Sequence, residues 1–169
     1  FHPDPQVVLE PARTHPALMP LAARLGCLRA FGVEWVWVIP FSRRFSQLSA
    51  AAFVRNILAQ QLHAVGLVVG EGFAFGRDRR GNMDLLRRWG PRCGIRVVSV
   101  PSVVRGGMRV SSSRIRQLIS QGRLRQAHRL LGRPPELFGV AVRGLGRGRC
   151  FGVPTVNIRL TSQVLPPQG

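Results

Sequence analysis

An α/β domain with a parallel sheet is the fold class this chain predicts, and three observations carry the prediction. Short apolar runs over residues 34–39, 65–70 and 95–100 alternate with stretches whose apolar residues recur at helical spacing. The runs are almost continuously apolar, as strands covered on both faces are. The stretches between them are long enough for the crossovers that parallel neighbours require. Together these describe a doubly wound, Rossmann-like layout.

Leu18, Leu21, Ala22, Leu25 and Leu28 lie at helical spacing, and Gly32 ends the pattern ahead of the strand-like run 34–39, which stops at Pro40. Ser49 is placed to cap a second helix with Phe53, Val54, Ile57, Leu58 and Leu62 inward, and residues 65–70 follow as a buried strand. Asn82 or Asp84 opens a third helix with Met83, Leu86 and Trp89 inward, ended near Gly90-Pro91, and residues 95–100 form the next strand. Ligands of such sheets sit outside the carboxyl ends of the strands, so chemistry is expected in residues 40–46, 71–80 and 101–116.

Ile115, Leu118 and Ile119 predict a short helix closed by Gly122, and Leu124, Ala127, His128 and Leu131 another closed by Gly132. Pro134-Pro135 then breaks the pattern. Beyond Phe138 the texture changes to short Val-rich runs separated by glycine and arginine, which suits strands of a β-barrel. A domain boundary is expected near Arg133, giving domains 1–133 and 134–169, the second too short to bury a core of its own.

With 45% hydrophobic residues the chain is not a disordered tail. No apolar run is long enough to span a bilayer, and residue 1 is not followed by a signal-peptide pattern, so a soluble, cytoplasmic protein without a membrane partner is expected. The net charge of +18 comes from 25 basic residues, all Arg, against seven acidic ones. One reading is a polyanion partner bound through phosphates. The other, favoured because Arg is scattered from Arg13 to Arg159, is a solvated basic surface with only non-specific nucleic-acid affinity. Cys27, Cys93 and Cys150, like the four His residues, lack metal-ligand or disulfide-framework spacing.

Three segments carry chemistry. Ser111-Ser112-Ser113 precede a helix, so free N–H groups, hydroxyls and the positive dipole end converge where Arg116 lies one turn in; this suits a phosphate, or a plain N-cap. Gly70-Glu71-Gly72-Phe73-Ala74-Phe75-Gly76 follows a strand, and its rings either receive a flat ligand or pack back on the core. Gly144, Gly146 and Gly148, with Thr155 and Asn157 behind them, can wrap a polyphosphate and offer oxygen to Mg²⁺, or form a loose hairpin.

With these residues in view, the chain resembles the bacterial bifunctional riboflavin kinase/FMN adenylyltransferases, or FAD synthetases. Gly70 to Gly76 is similar to the family's Gly-x-Asp-Phe-x-Phe-Gly loop, and Ser111 to Arg116 to its Ser-Ser-Thr-x-x-Arg motif. Leu130-Leu131-Gly132-Arg133-Pro134 resembles the linker into the kinase, Gly152-Val153-Pro154-Thr155-Val156-Asn157 the kinase's Gly-Phe-Pro-Thr-Ala-Asn, and Pro40-Phe41, Phe45 and Leu48-Ser49 the family's Pro-Phe…Phe…Leu-Ser pattern. The resemblance implies a Rossmann-like nucleotidyltransferase followed by the first strands of a riboflavin-kinase β-barrel. It implies transfer of an adenylyl group from ATP to FMN, giving FAD and pyrophosphate with Mg²⁺, coupled to phosphorylation of riboflavin. Ser111, Ser112, Ser113 and Arg116 would hold the ATP phosphates, with Ser112, Ser113 and Arg116 catalytic. Gly70, Phe73, Phe75 and Gly76 would form the flavin site, and Gly146, Thr155 and Asn157 the kinase's Mg-ATP site, Thr155 and Asn157 touching the metal.

Several positions depart from the family. Gly72 stands where it usually has Asp, Val153 replaces Phe, and Phe1-His2-Pro3-Asp4-Pro5 exchanges the His and acid of its Phe-x-Pro-His-Pro. The family's His-x-Gly-His segment would precede Phe1, and most of the kinase barrel would follow Gly169. Two rivals make different predictions: an Arg-rich nucleic-acid module would lose RNA steeply with added salt, and a nucleotidyltransferase for another phosphorylated small molecule would ignore Phe73→Ala. The expectation is that this polypeptide alone makes FAD poorly or not at all; radiolabelled ATP with FMN measures it, and turnover near that of a full-length relative would contradict it.

Overall fold

The computed structural model describes residues 1–143, 152 and 155–168. Its elements in chain order are helices α1 (Pro5–Leu9), α2 (Leu21–Ala30), α3 (Arg43–Ser46) and α4 (Ala50–Ala52), the last continuing as a π-helical stretch (Phe53–Gln61). Strand β1 (Gly66–Gly70), helix α5 (Met83–Trp89) and strands β2 (Arg96–Val100), β3 (Val104–Arg105) and β4 (Met108–Arg109) follow. Helices α6 (Ser112–Ser120) and α7 (Leu124–Leu131) and strands β5 (Gly139–Val142) and β6 (Asn157–Leu160) complete the order. Two compact units divide them: Phe1–Arg13 with Val38–Val104, and Thr14–Trp37 with Arg105–Gly169.

In the first unit β1 and β2 are parallel, with Gly66 opposite Arg96 and Gly70 opposite Val100. The connection between them carries α5, as the sequence predicts. Ser49 accepts a hydrogen bond from the Ala52 N–H and starts the helix that becomes the π-helical stretch; Asn82, not Asp84, caps α5 by accepting from the Leu85 N–H. Both caps satisfy a donor that the first helical turn leaves open. Phe53, Val54, Ile57 and Leu58 from the π-helical stretch meet Met83 and Leu86 from α5 in one core, with Leu67, Val69 and Val97 of the sheet packed against it.

Two expectations need correction here. Residues 34–39 are not a strand: the isolated parallel bridge beside them pairs His2 with Pro40, just past the run, and the Ile39 carbonyl accepts from the His2 N–H at 3.0 Å, but no ladder among the described residues runs along 34–39 to hold it as a strand. Nor is the sheet covered on both faces, since Val68 is 67% exposed and Val98 42% while Leu67 and Val69 face the core. The described helices of this unit pack on one side only, so the apolar continuity of the strands is not matched by burial.

In the second unit Ile115, Leu118 and Ile119 of α6 pack with Ala127 and Leu130 of α7 and with Val164. Gly122 turns the chain between the two helices at φ +72°, and Gly132 ends α7 at φ +74°, backbone that favours glycine. Helix α2 forms where predicted, but none of its residues is fully buried. Strands β5 and β6 are antiparallel, Gly139 opposite Leu160 and Val142 opposite Asn157.

Leu86 is fully buried, so Leu86→Ala is expected to lower unfolding free energy by about 2–5 kcal/mol. Val68→Ala on the open sheet face should change it by no more than about 0.5 kcal/mol. Urea denaturation of the two variants separates the covered face from the open one.

Candidate active site

The loop after β1 belongs to the first unit. It turns immediately, the Phe73 N–H donating to the Gly70 carbonyl at 2.9 Å, and the Glu71 N–H donates to the Val100 carbonyl at 3.0 Å. The Glu71 carboxylate accepts from the Ser102 N–H at 3.2 Å, tying together the loops that leave the two parallel strands. Phe73 and Phe75 stack with centroids 5.4 Å apart and planes 17° apart, and Phe75 also packs on Phe53 at 5.4 Å. Phe75 is therefore a core ring, 7% exposed, whereas Phe73 is only half-buried, packed against that core. Of the two sequence alternatives, packing onto the core holds for Phe75.

Gly76 has φ +72°, and a Cβ there would come within 2.6 Å of the Ala50 backbone. Phe75 and Gly81 exchange two backbone hydrogen bonds, of 3.1 and 2.8 Å, which close the five-residue loop between them. A Cβ on Gly81 would lie 2.7 Å from the Phe75 ring. Glycine at both ends is thus a packing requirement. Sequence reasoning named Gly76 and passed over Gly81; the Gly-Arg-Asp-Arg-Arg-Gly spacing was the available signal.

The serine segment lies in the second unit. Ser111 is the N-cap of α6: its Oγ accepts from the Arg114 N–H at 3.3 Å, and its carbonyl accepts from the Ile115 N–H at 3.0 Å. Ser112 and Ser113 are exposed, and their N–H groups, in the first helical turn, have no acceptor within the helix. Arg116 follows Ser112 by one turn on the same helix face. Its Nε is buried without a hydrogen-bond partner among the described residues. Arg114, which the sequence left without a role, donates to Gln117 Oε1 at 2.8 Å and contacts Met108 Sδ at 3.9 Å, so it braces the segment. One capped helix start thus offers two hydroxyls, open N–H groups, the positive dipole end and a guanidinium, a set suited to an anion.

Thr155 and Asn157 are exposed, Asn157 opening β6 opposite Val142. Gly146 lies outside the described residues. Among those residues no three His, Cys, Asp or Glu side chains group as metal ligands. A cavity of about 150 Å³ in the second unit, lined by Leu18, Ile119, Leu131, Phe138 and Val164 among others, is smaller than ligand pockets of ~300–1,000 Å³.

Comparison with known proteins gives these sites their context. The FAD synthetase family model matches residues 1–114, about two thirds of the sequence. The chain belongs to the FAD synthetase family. A riboflavin kinase model matches residues 131–169, so the FAD synthetase match contains Phe73 and the three serines, the kinase match contains Thr155 and Asn157, and Arg116 falls between them. The bifunctional riboflavin kinase/FMN adenylyltransferase of Escherichia coli strain K12 is 35% identical over all 169 residues, and the protein of the same name from Pseudomonas fluorescens 36% identical over the same length. The Haemophilus influenzae protein of that name is 36% identical over 90% of the chain. The chain spans about half the length of these relatives, 54% of the first two and 49% of the third. A solved structure described as a macrolide-efflux protein from Streptococcus pneumoniae superposes with a TM-score of 0.83 at 32% identity, over the whole chain and 55% of that protein.

Loss of the cap and loss of the exposed hydroxyls should separate in a stability measurement. Ser111→Ala is expected to lower unfolding free energy by about 1 kcal/mol, whereas Ser112→Ala and Ser113→Ala should leave it within about 0.5 kcal/mol. Guanidinium denaturation of the three variants makes the comparison.

Proposed function

We propose that this chain is the adenylyl-transfer part of a flavin-nucleotide enzyme: the phosphate of FMN attacks the α-phosphorus of ATP, pyrophosphate departs, and FAD forms. The observation that carries the reading is the start of α6, where Ser112 and Ser113 stand exposed beside the Ser111 cap and Arg116 follows one turn on, in a chain of the FAD synthetase family. In this reading Ser111, Ser112 and Ser113 hold the ATP phosphates. Arg116 neutralises charge that grows on the departing pyrophosphate, a step for which orientation and electrostatics suffice. The unsatisfied Nε of Arg116 supports this role, since a buried guanidinium nitrogen without an acceptor is stabilised when an anion supplies one.

The flavin ring is assigned to the loop after β1. Phe73, half-buried and stacked on Phe75, packs on the flavin ring, Gly70 begins the turn, and Gly76 lets the loop close on Ala50. Residues 1–133 form the adenylyltransferase domain and residues 134–169 begin a riboflavin-kinase barrel, whose first antiparallel strands are β5 and β6. In that second part Gly146, Thr155 and Asn157 belong to the Mg-ATP site. A hydroxyl and an amide oxygen two residues apart fit Mg²⁺, which takes few protein ligands when phosphates and water complete its shell. Bound there, Mg²⁺ would offset phosphate charge. No described helix is long and apolar enough to cross a membrane.

FAD formation from FMN and α-labelled ATP tests the assignment. Arg116→Gln is expected to lower kcat/KM by a hundredfold or more, on the order seen when one donor to developing charge is removed, with thermal unfolding unchanged. Wild-type kcat/KM in that variant would remove Arg116 from the chemistry.

A further inference from the structure

We propose that the loop of residues 77–80 is a phosphate-recognition site, and that the group it takes is the phosphate monoester of the flavin substrate; the identity of that substrate rests on the adenylyl-transfer reading above. Three of the loop's four residues are Arg, and all three are exposed. The single carboxylate between them, Asp78, lies 3.5 Å from Arg77 and 4.0 Å from Arg80, so one oxygen is shared by those two guanidiniums. Arg79 has no ion pair or hydrogen bond from its side chain among the described residues. The loop is left with more positive than negative charge and one guanidinium without a protein partner.

Its backbone is built to hold that arrangement. Asp78 and Arg79 both adopt left-handed φ values, +55° and +58°, which residues with a Cβ rarely take, least of all in succession. Such conformations persist where the surroundings over-determine them, and they concentrate at ligand clamps. Here the restraint is visible: the Phe75–Gly81 pair closes the base, the Arg77 N–H donates to the Leu48 carbonyl at 2.7 Å, and the Arg79 N–H donates to the Gly76 carbonyl at 3.1 Å. A scattered, solvated arginine surface needs none of these restraints.

Position supplies the choice of ligand. The same loop carries Phe73, the half-buried ring stacked on Phe75, and it leaves the carboxyl end of a parallel strand, where ligands of such sheets sit. A guanidinium fork matches phosphate oxygens in geometry as well as charge. A flat ring on Phe73 with an anionic tail on Arg79 describes a phosphorylated flavin better than a neutral one.

The test titrates the full chain with FMN and with riboflavin, which lacks the phosphate, following flavin fluorescence. Arg79→Gln and Arg79→Gly, the second suited to the left-handed backbone, are each expected to weaken FMN binding about tenfold or more and to leave riboflavin binding unchanged. Arg92→Gln, an exposed arginine elsewhere in the unit, controls for net charge. Equal weakening of FMN by Arg92→Gln, equal effects on both flavins, or no effect on FMN would each overturn the proposal while leaving flavin binding intact. Should neither flavin bind the parent chain, the flavin reading falls instead. Inorganic pyrophosphate, titrated in an Arg116→Gln background that weakens the other anion site, then examines the loop: binding lost when either Arg79 substitution is added sustains a phosphate site, and binding unaltered by them, or absent from that background, removes it.

Discussion

The parallel pairing of β1 with β2 is the constraint from which the first unit follows. Parallel strands cannot be joined by a tight turn, so the chain between them must cross over, and α5 lies in that connection. The crossover brings Met83 and Leu86 against the π-helical stretch and closes the core. It also sends both strands out of the sheet at the same edge, where the Glu71 side chain and the Ser102 N–H meet. The loop carrying Phe73 is positioned by this geometry rather than by any regular structure of its own.

Much of this was legible in the residues, for identifiable reasons. The helices announced themselves through caps and periodicity: Ser49, Asn82 and Ser111 each accept from an N–H three residues on, the contact their residue type favours. The strands at 66–70 and 96–100 were readable from β-branched runs bounded by glycine or proline. The run at 34–39 is likewise rich in β-formers yet has no ladder, because composition reports suitability for a sheet and not the presence of a neighbour. Likewise, unbroken apolarity in β1 and β2 predicted cover on both faces, while burial requires a second packed layer that the described residues of the unit do not supply.

The candidate sites were legible to different depths. Three serines ahead of an amphipathic helix define a capped N-terminus by local rules alone, and α6 begins there. The division of labour between Phe73 and Phe75 was not readable, because it depends on Phe53 arriving from a distant helix to take one ring into the core. Nor was the closure at Gly81, which needs the contact between its backbone and the Phe75 ring. The basic residues 77–80 were lost among the chain's many arginines until two left-handed backbones distinguished them from the rest.

The way residues 75 and 81 clasp one another separates two kinds of sequence freedom. Their glycine and aromatic identities answer to the hydrophobic interior, whereas the side chains of residues 77–80 between them are exposed and take no part in it. Chemical variety can accumulate at such a tip without eroding the scaffold beneath it. Within relatives sharing this clasp, divergence in ligand preference should therefore concentrate on a span of four side chains, insulated from the stability of the domain that presents them.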